Sequence, residues 1–109
     1  MKSNKHTLND IPGVKSDELE RLQRIFETDD VVTTVVLYGS RAKGTYHDGS
    51  DIDLTLMGKG ITTQQLMTLS TKIDDLLMPY EVDLSIFAHI DNKSLVDHID
   101  RVGKVIYKR

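Results

Sequence analysis

Residues 39–54 read GSRAKGTYHDGSDIDL, and this stretch decides how the rest of the chain is understood. It follows Val31 to Tyr38, a β-branched and almost wholly apolar run of the kind that forms a strand covered on both faces. Gly39 ends that strand. A glycine directly after a buried strand lets another group approach the backbone closely, and the residues after it can open a short helix whose free N–H groups face an anion. Ser40 adds a hydroxyl donor, and Arg41 and Lys43 add positive charge beside it. At the far end of the stretch a second strand begins, Asp51 to Met57, and it alternates. Ile52, Leu54 and Leu56 point one way, while Asp51, Asp53 and Thr55 point the other.

Two residues apart on a strand, Asp51 and Asp53 share a face with Cα atoms about 6.5–7 Å apart. A third alternating segment, Glu81 to Phe87, turns Val82, Leu84 and Ile86 inward and carries Asp83 on its polar face. If these strands are neighbours, three carboxylates meet on one patch, where like charges raise one another's pKa values unless a cation sits among them. An oxygen-only carboxylate set suits Mg²⁺ or Mn²⁺, and two such ions need a bridging pair plus a third carboxylate on one side. Two other loop types fail. A phosphate-binding P-loop needs Lys-Ser/Thr after its second glycine, but Gly44 is followed by Thr45 and Tyr46. A calcium loop starting at Asp51 needs glycine and glutamate where Leu56 and Thr62 stand.

Outward from this centre the periodicities predict helices. Ser16 or Asp17 is placed to cap one in which Leu19, Leu22, Ile25 and Phe26 share a face. Thr62 and Gln65 form a capping box, with Ile61 and Leu66 as a hydrophobic staple, for a helix that Pro79 stops. Asp91 or Asn92 caps a last helix facing the core through Leu95, Val96, Ile99 and Val102. Gly103 is its expected C-terminal residue, and Lys104 to Tyr107 can add a short strand. The predicted order is α-β-α(short)-β-α-β-α, an α/β (α+β) fold with helices packed on a small mixed sheet. Residues 1–15 read as a polar arm, loose or lightly docked, ahead of a domain at 16–109.

The 109 residues carry 17 acidic and 14 basic side chains, a formal charge of −3, which argues against a broad nucleic-acid-binding face. The absence of cysteine excludes disulfides and thiolate chemistry, and no apolar run approaches a membrane span. The expectation is a single soluble, cytoplasmic domain. The remaining conspicuous residues read as incidental. His47 is a solvated loop histidine. His6, His89 and His98 show no ligand spacing. Tyr38 belongs to the core, Tyr46 is available to stack on a base, and Lys104, Lys108 and Arg109 form a solvated basic end.

Gly39-Ser40, ten intervening residues and Asp51-Ile52-Asp53, with Asp83 in Glu-Val-Asp-Leu-Ser, resemble the Gly-Ser…Asp-x-Asp signature of the DNA polymerase β-like nucleotidyltransferase superfamily. Within it, the segment 39–54 and the short length are similar to the minimal nucleotidyltransferases, the antitoxin half of HEPN/MNT toxin–antitoxin pairs. The resemblance spans about residues 16–109. It implies the polymerase β-like fold, Gly39 and Ser40 on the triphosphate of ATP with Arg41 and Lys43 nearby, and two Mg²⁺ ions on Asp51, Asp53 and Asp83. It further implies that Asp83 helps deprotonate the incoming hydroxyl, and that AMP passes to a tyrosine of a partner HEPN ribonuclease toxin. Two alternatives stand beside this. One is a non-catalytic module that neutralises a toxin by covering it, and the other is nucleotide transfer to a small molecule. All three carboxylates are present, which favours the enzyme, and a small-molecule acceptor would call for a further domain to hold it.

Overall fold

A computed structural model describes residues 8–109. Helix α1 (Ser16–Glu27) is followed by strand β1 (Thr34–Tyr38), the short helix α2 (Gly39–Lys43) and strand β2 (Ile52–Met57). Then come helix α3 (Thr63–Asp74), strand β3 (Val82–Ile86), a 3₁₀ turn at Phe87–His89, helix α4 (Lys93–Val102) and strand β4 (Lys104–Lys108). The four strands form one mixed sheet in the order β3-β2-β1-β4. β1 is antiparallel to both β2 and β4, while β2 and β3 run parallel, joined through α3. A parallel pair needs such a crossover, since no tight turn can return the chain in the same direction.

The sheet is covered on both sides. On one face Val35, Leu37, Ile52, Leu54 and Leu56 pack against Leu19, Leu22 and Phe26 of α1 and Leu69 and Ile73 of α3. On the other, Val36 and Tyr38 pack against Ile99 of α4. This explains the unbroken apolar run of β1, which lies between two layers, and the alternation of β2, whose second face is left open beyond α4.

Local signals account for the helix ends. The Thr62 hydroxyl accepts from the Gln65 N–H at 3.1 Å and the Gln65 side-chain Oε1 accepts from the Thr62 N–H at 2.8 Å, completing the expected box. Asn92 caps α4 by accepting from the Leu95 N–H. The N-cap of α1 is Lys15, one residue before the expected serine, with the Glu18 carboxylate accepting its N–H. Helix α3 ends at Asp74, short of Pro79, and Leu77 lies beyond it at φ 54°.

Gly103 differs from expectation in conformation. Its φ of −59° is open to any residue, so a left-handed cap is not the reason for glycine. A Cβ there would overlap the Ile99 carbonyl oxygen and stand 2.7 Å from Val36 Cγ1. The glycine lets α4 turn directly into β4 against β1.

Both ends of the described chain are tied down. Residues 8–15 are docked rather than loose: Ile11 is buried in the main core, and the Asn9 N–H donates to the Val105 carbonyl at 2.8 Å. At the other end the exposed Arg109 is nonetheless anchored to the chain. Its guanidinium donates to the carbonyls of Phe26, Glu27 and Asp29, the open C-terminal end of α1, and to Val32. His6 lies outside the described residues.

Candidate active site

Sheet register builds the site. Tyr38 stands opposite Asp53 across the β1–β2 pair, and Asp53 opposite Asp83 across β2–β3. The three side chains therefore share one face in a row across neighbouring strands, each step about 4.8 Å. Asp51 lies just ahead of β2 on the same alternation. The next residues of that face are Thr55, fully buried, and Ser85, whose hydroxyl donates to Thr55 Oγ1 at 2.9 Å. This pair fixes the floor beside the carboxylates.

Gly39 closes the row at the β1 end. Its φ is 78°, a conformation costly for any L-residue with a Cβ. A Cβ would also overlap Asp53 Oδ2 and stand 3.1 Å from its Cγ. The turn requires glycine, and the Asp53 carboxylate lies close against it. The half-exposed Ser40 and exposed Lys43 follow on α2.

Burial comes first in raising the Asp53 carboxyl above its ordinary range, followed by the charges of Asp83 and Asp51. The Tyr38 hydroxyl is pushed up as well, chiefly by burial, against a contact with Ser85 that lowers it, and then by Asp53 and Asp83. Among the described residues no basic side chain forms an ion pair with Asp51, Asp53 or Asp83. The patch is a concentration of uncompensated negative charge, chemically suited to a hard divalent cation bound by oxygen alone. Among the described residues no three His, Cys, Asp or Glu side chains stand close enough to hold a metal as placed. Asp51 and Asp83 are exposed and Asp53 is half-buried.

Two expectations are overturned. Arg41 does not face the phosphate turn. It is buried to 1% exposure, with Nε and Nη2 donating to the Ser50 carbonyl at 3.2 and 2.8 Å and Nη1 to the Pro12 carbonyl at 2.7 Å. Its guanidinium lies between the rings of Tyr46 and Tyr80, 5.0 and 5.2 Å from their centroids. The planar fork is consumed in pinning the carbonyl directly before Asp51, and Tyr46 stacks on that cation. His98 is the second. Its Nε2 accepts the Gly39 N–H at 3.1 Å, and its ring meets Tyr38 edge-on at 6.2 Å. A lone histidine on a helix carries no spacing signal, and only the packing of α4 over β1 brings it to the turn. His47 and His89 are exposed, as expected of incidental histidines.

A Gly-turn closing a buried strand thus stands against an Asp-x-Asp strand with a third aspartate in register. The chain belongs to the family described as Polymerase beta, Nucleotidyltransferase, whose model matches residues 20–109. No curated protein matches it significantly. Among solved structures, it is similar to a chain of a toxin–antitoxin crystallised with AMP-PNP, at 22% identity and a TM-score of 0.67, covering 88% of this chain and 75% of that one. A tri-AMPylated HEPN toxin in complex with its MNT antitoxin, from Shewanella oneidensis, gives 15% identity, a TM-score of 0.66 and coverage of 88% and 74%. The toxin–antitoxin MntA-HepT gives 15%, 0.64, 87% and 74%. At these identities the likeness is one of fold. No helix among the described residues is long and apolar enough to cross a membrane.

Proposed function

We propose that the chain transfers AMP from ATP to a tyrosine hydroxyl of a partner HEPN toxin and thereby acts as its antitoxin. The observation that carries this reading is the direction of the row. It runs from the phosphate turn at Gly39, through the crowded Asp53, to Asp83 on the outermost strand, where an acceptor can approach from solvent.

Gly39 and Ser40, with Lys43 beside them, hold the triphosphate. Asp51 and Asp53, joined by Asp83, would be the oxygen ligands for two Mg²⁺ or Mn²⁺ ions, which would supply positive charge against the phosphate oxygens. The acceptor oxygen forms a bond to the α-phosphorus as the bond from that phosphorus to the bridging oxygen of pyrophosphate breaks in line. The hydroxyl proton passes to the Asp83 carboxylate and on to water. Positioning and charge neutralisation account for most of the rate enhancement in such a displacement. The AMP-PNP of one similar complex and the AMPylated toxin of another support ATP as donor and a HEPN protein as acceptor.

The test uses α-labelled ATP, Mg²⁺ and a HEPN toxin encoded beside this chain. Label is expected on the toxin, and is expected to vanish with Asp51→Asn or Asp53→Asn while both variants remain folded. Unlabelled toxin, neutralised equally well by both variants, would replace this reading with neutralisation by binding alone.

A further inference from the structure

The two edges of the sheet are treated differently. At the β4 edge, Asn9 lies against the strand, its backbone N–H and its Nδ2 both donating to the Val105 carbonyl. The β3 edge has no such cover. The Ile52 N–H donates to the Glu81 carbonyl at 2.8 Å, and Ile52 stands opposite Val82 in the parallel register. That pattern turns the backbone groups of Asp83 and Ser85 toward β2 and points the N–H and C=O of Val82 and Leu84 outward. Among the described residues, neither Val82 nor Leu84 makes a backbone hydrogen bond to another element. An open edge of this kind invites pairing with another strand, and proteins usually block it.

The surroundings specify what fits. Above the edge is the acidic face of Asp51, Asp53 and Asp83. Below it, a cavity of about 180 Å³ is lined by Ile73, Leu77, Met78 and Val82, with Asp74 and Glu81 among its walls. Leu77 is 87% exposed and held at φ 54°, a strained conformation for a leucine. A strand added beside β3 would send alternate side chains to the two faces, one set into the row of Asp53 and Asp83, the other toward this cavity. A mainly polar wall that sets the carboxylates of Asp74 and Glu81 beside the aliphatic carbons of Leu77, Met78 and Val82 suits the charged head and aliphatic stem of lysine or arginine.

We infer that the open edge of β3 docks an extended, basic segment as a fifth strand, and that this segment presents the acceptor hydroxyl to the carboxylate row. Backbone hydrogen bonds to Val82 and Leu84 give the affinity, and the alternation gives the specificity. A residue paired beside Asp83 stands one strand spacing away with its side chain on the same face, and its immediate neighbours face the cavity. The inference rests on the proposed transfer reaction only for the hydroxyl it delivers. The docking itself follows from the edge.

The probe is the acetylated, amidated peptide Thr-Lys-Thr-Lys-Tyr-Lys-Thr-Lys, added to the full chain with hydrogen exchange read by NMR. The amides of Val82 and Leu84 are expected to slow by about tenfold or more at saturating peptide, with those of β4 unchanged. The same peptide N-methylated at every residue keeps its charge but has no backbone N–H to pair with, and is expected to protect neither amide. Equal protection by both peptides, or none by the first, overturns the inference. In a second arm, Val82→Pro removes an outward N–H at the first position of an edge strand, where proline is tolerated. It is expected to keep nucleotide-induced thermal stabilisation and to lose at least about tenfold in labelling of the peptide or toxin. Wild-type labelling by a folded Val82→Pro chain would also overturn the docking, leaving the transfer reaction intact. Protected amides in a chain that labels nothing would instead uphold the docking and remove the transfer reading.

Discussion

Replacing Arg41 by lysine separates a buried clamp from a phosphate ligand. The guanidinium donates three hydrogen bonds to two carbonyls and stacks between two tyrosine rings. Lysine keeps the charge but can reach only one of the Ser50 and Pro12 carbonyls. Leaving the other without a partner in a buried site costs about 1–3 kcal/mol. Exchanging the flat, weakly hydrated guanidinium for an ammonium between Tyr46 and Tyr80 costs roughly 0.5–1 kcal/mol more. A loss of about 2–4 kcal/mol is a large part of the stability of roughly 5–15 kcal/mol expected of one small domain. At about 4–8 °C per kcal/mol, the melting temperature should fall by about 8–32 °C. Circular dichroism melts and urea titration both read this, and nucleotide titration at low temperature, where the variant is folded, should change by less than about threefold. A variant that melts within about 3 °C of the parent but loses nucleotide affinity would refute the clamp and return Arg41 to the phosphates.

The other perturbations follow the same geometry. Asp53→Asn should stabilise the chain in the absence of divalent ions. A folded-state carboxyl raised above its unfolded value carries a penalty fully present above the raised value and absent below the ordinary one, so the gain should shrink as pH falls through the acid range. Thermal melts across that range check the sign, and a variant less stable than the parent at neutral pH refutes it. His98→Leu leaves the Gly39 N–H without its acceptor and should cost about 1 kcal/mol by urea titration. It should also weaken nucleotide binding, because the turn loses its anchor; an unchanged nucleotide affinity would show that α4 does not position the turn. Gly103→Asn and Gly103→Ala should destabilise alike, by about 1–3 kcal/mol, since the obstacle is the space near Ile99 and Val36. Rescue by asparagine alone would indicate a left-handed cap instead.

Much of this was legible in one chain because its signals are local. The capping box of Thr62 and Gln65 depends on residues three apart, and the alternation of Ile52, Leu54 and Leu56 depends only on the pleat of one strand. The shared face of Asp51 and Asp53 is legible for the same reason, since period two places both on one side whatever β2 lies against. Arg41 was misread because a cation next to a Gly-Ser turn looks electrostatic. Its actual partners, Pro12, Ser50 and Tyr80, come from three distant segments. His98 carried no pattern at all, and Arg109 looked like a solvated end until α1 presented its free carbonyls.

The sequence by itself determined the elements, their buried faces and the identity of the chemical groups, because backbone period and capping act over a few residues. Only the tertiary structure decided that β2 and β3 run parallel in a register that sets Asp83 beside Asp53, and that α4 brings His98 to Gly39. It also decided that one sheet edge is covered and the other left open beside the carboxylates. The physical reason is the same in each case. Strand pairing and helix packing join residues tens of positions apart, and their partners are selected by the whole core rather than by any stretch of the chain that contains them.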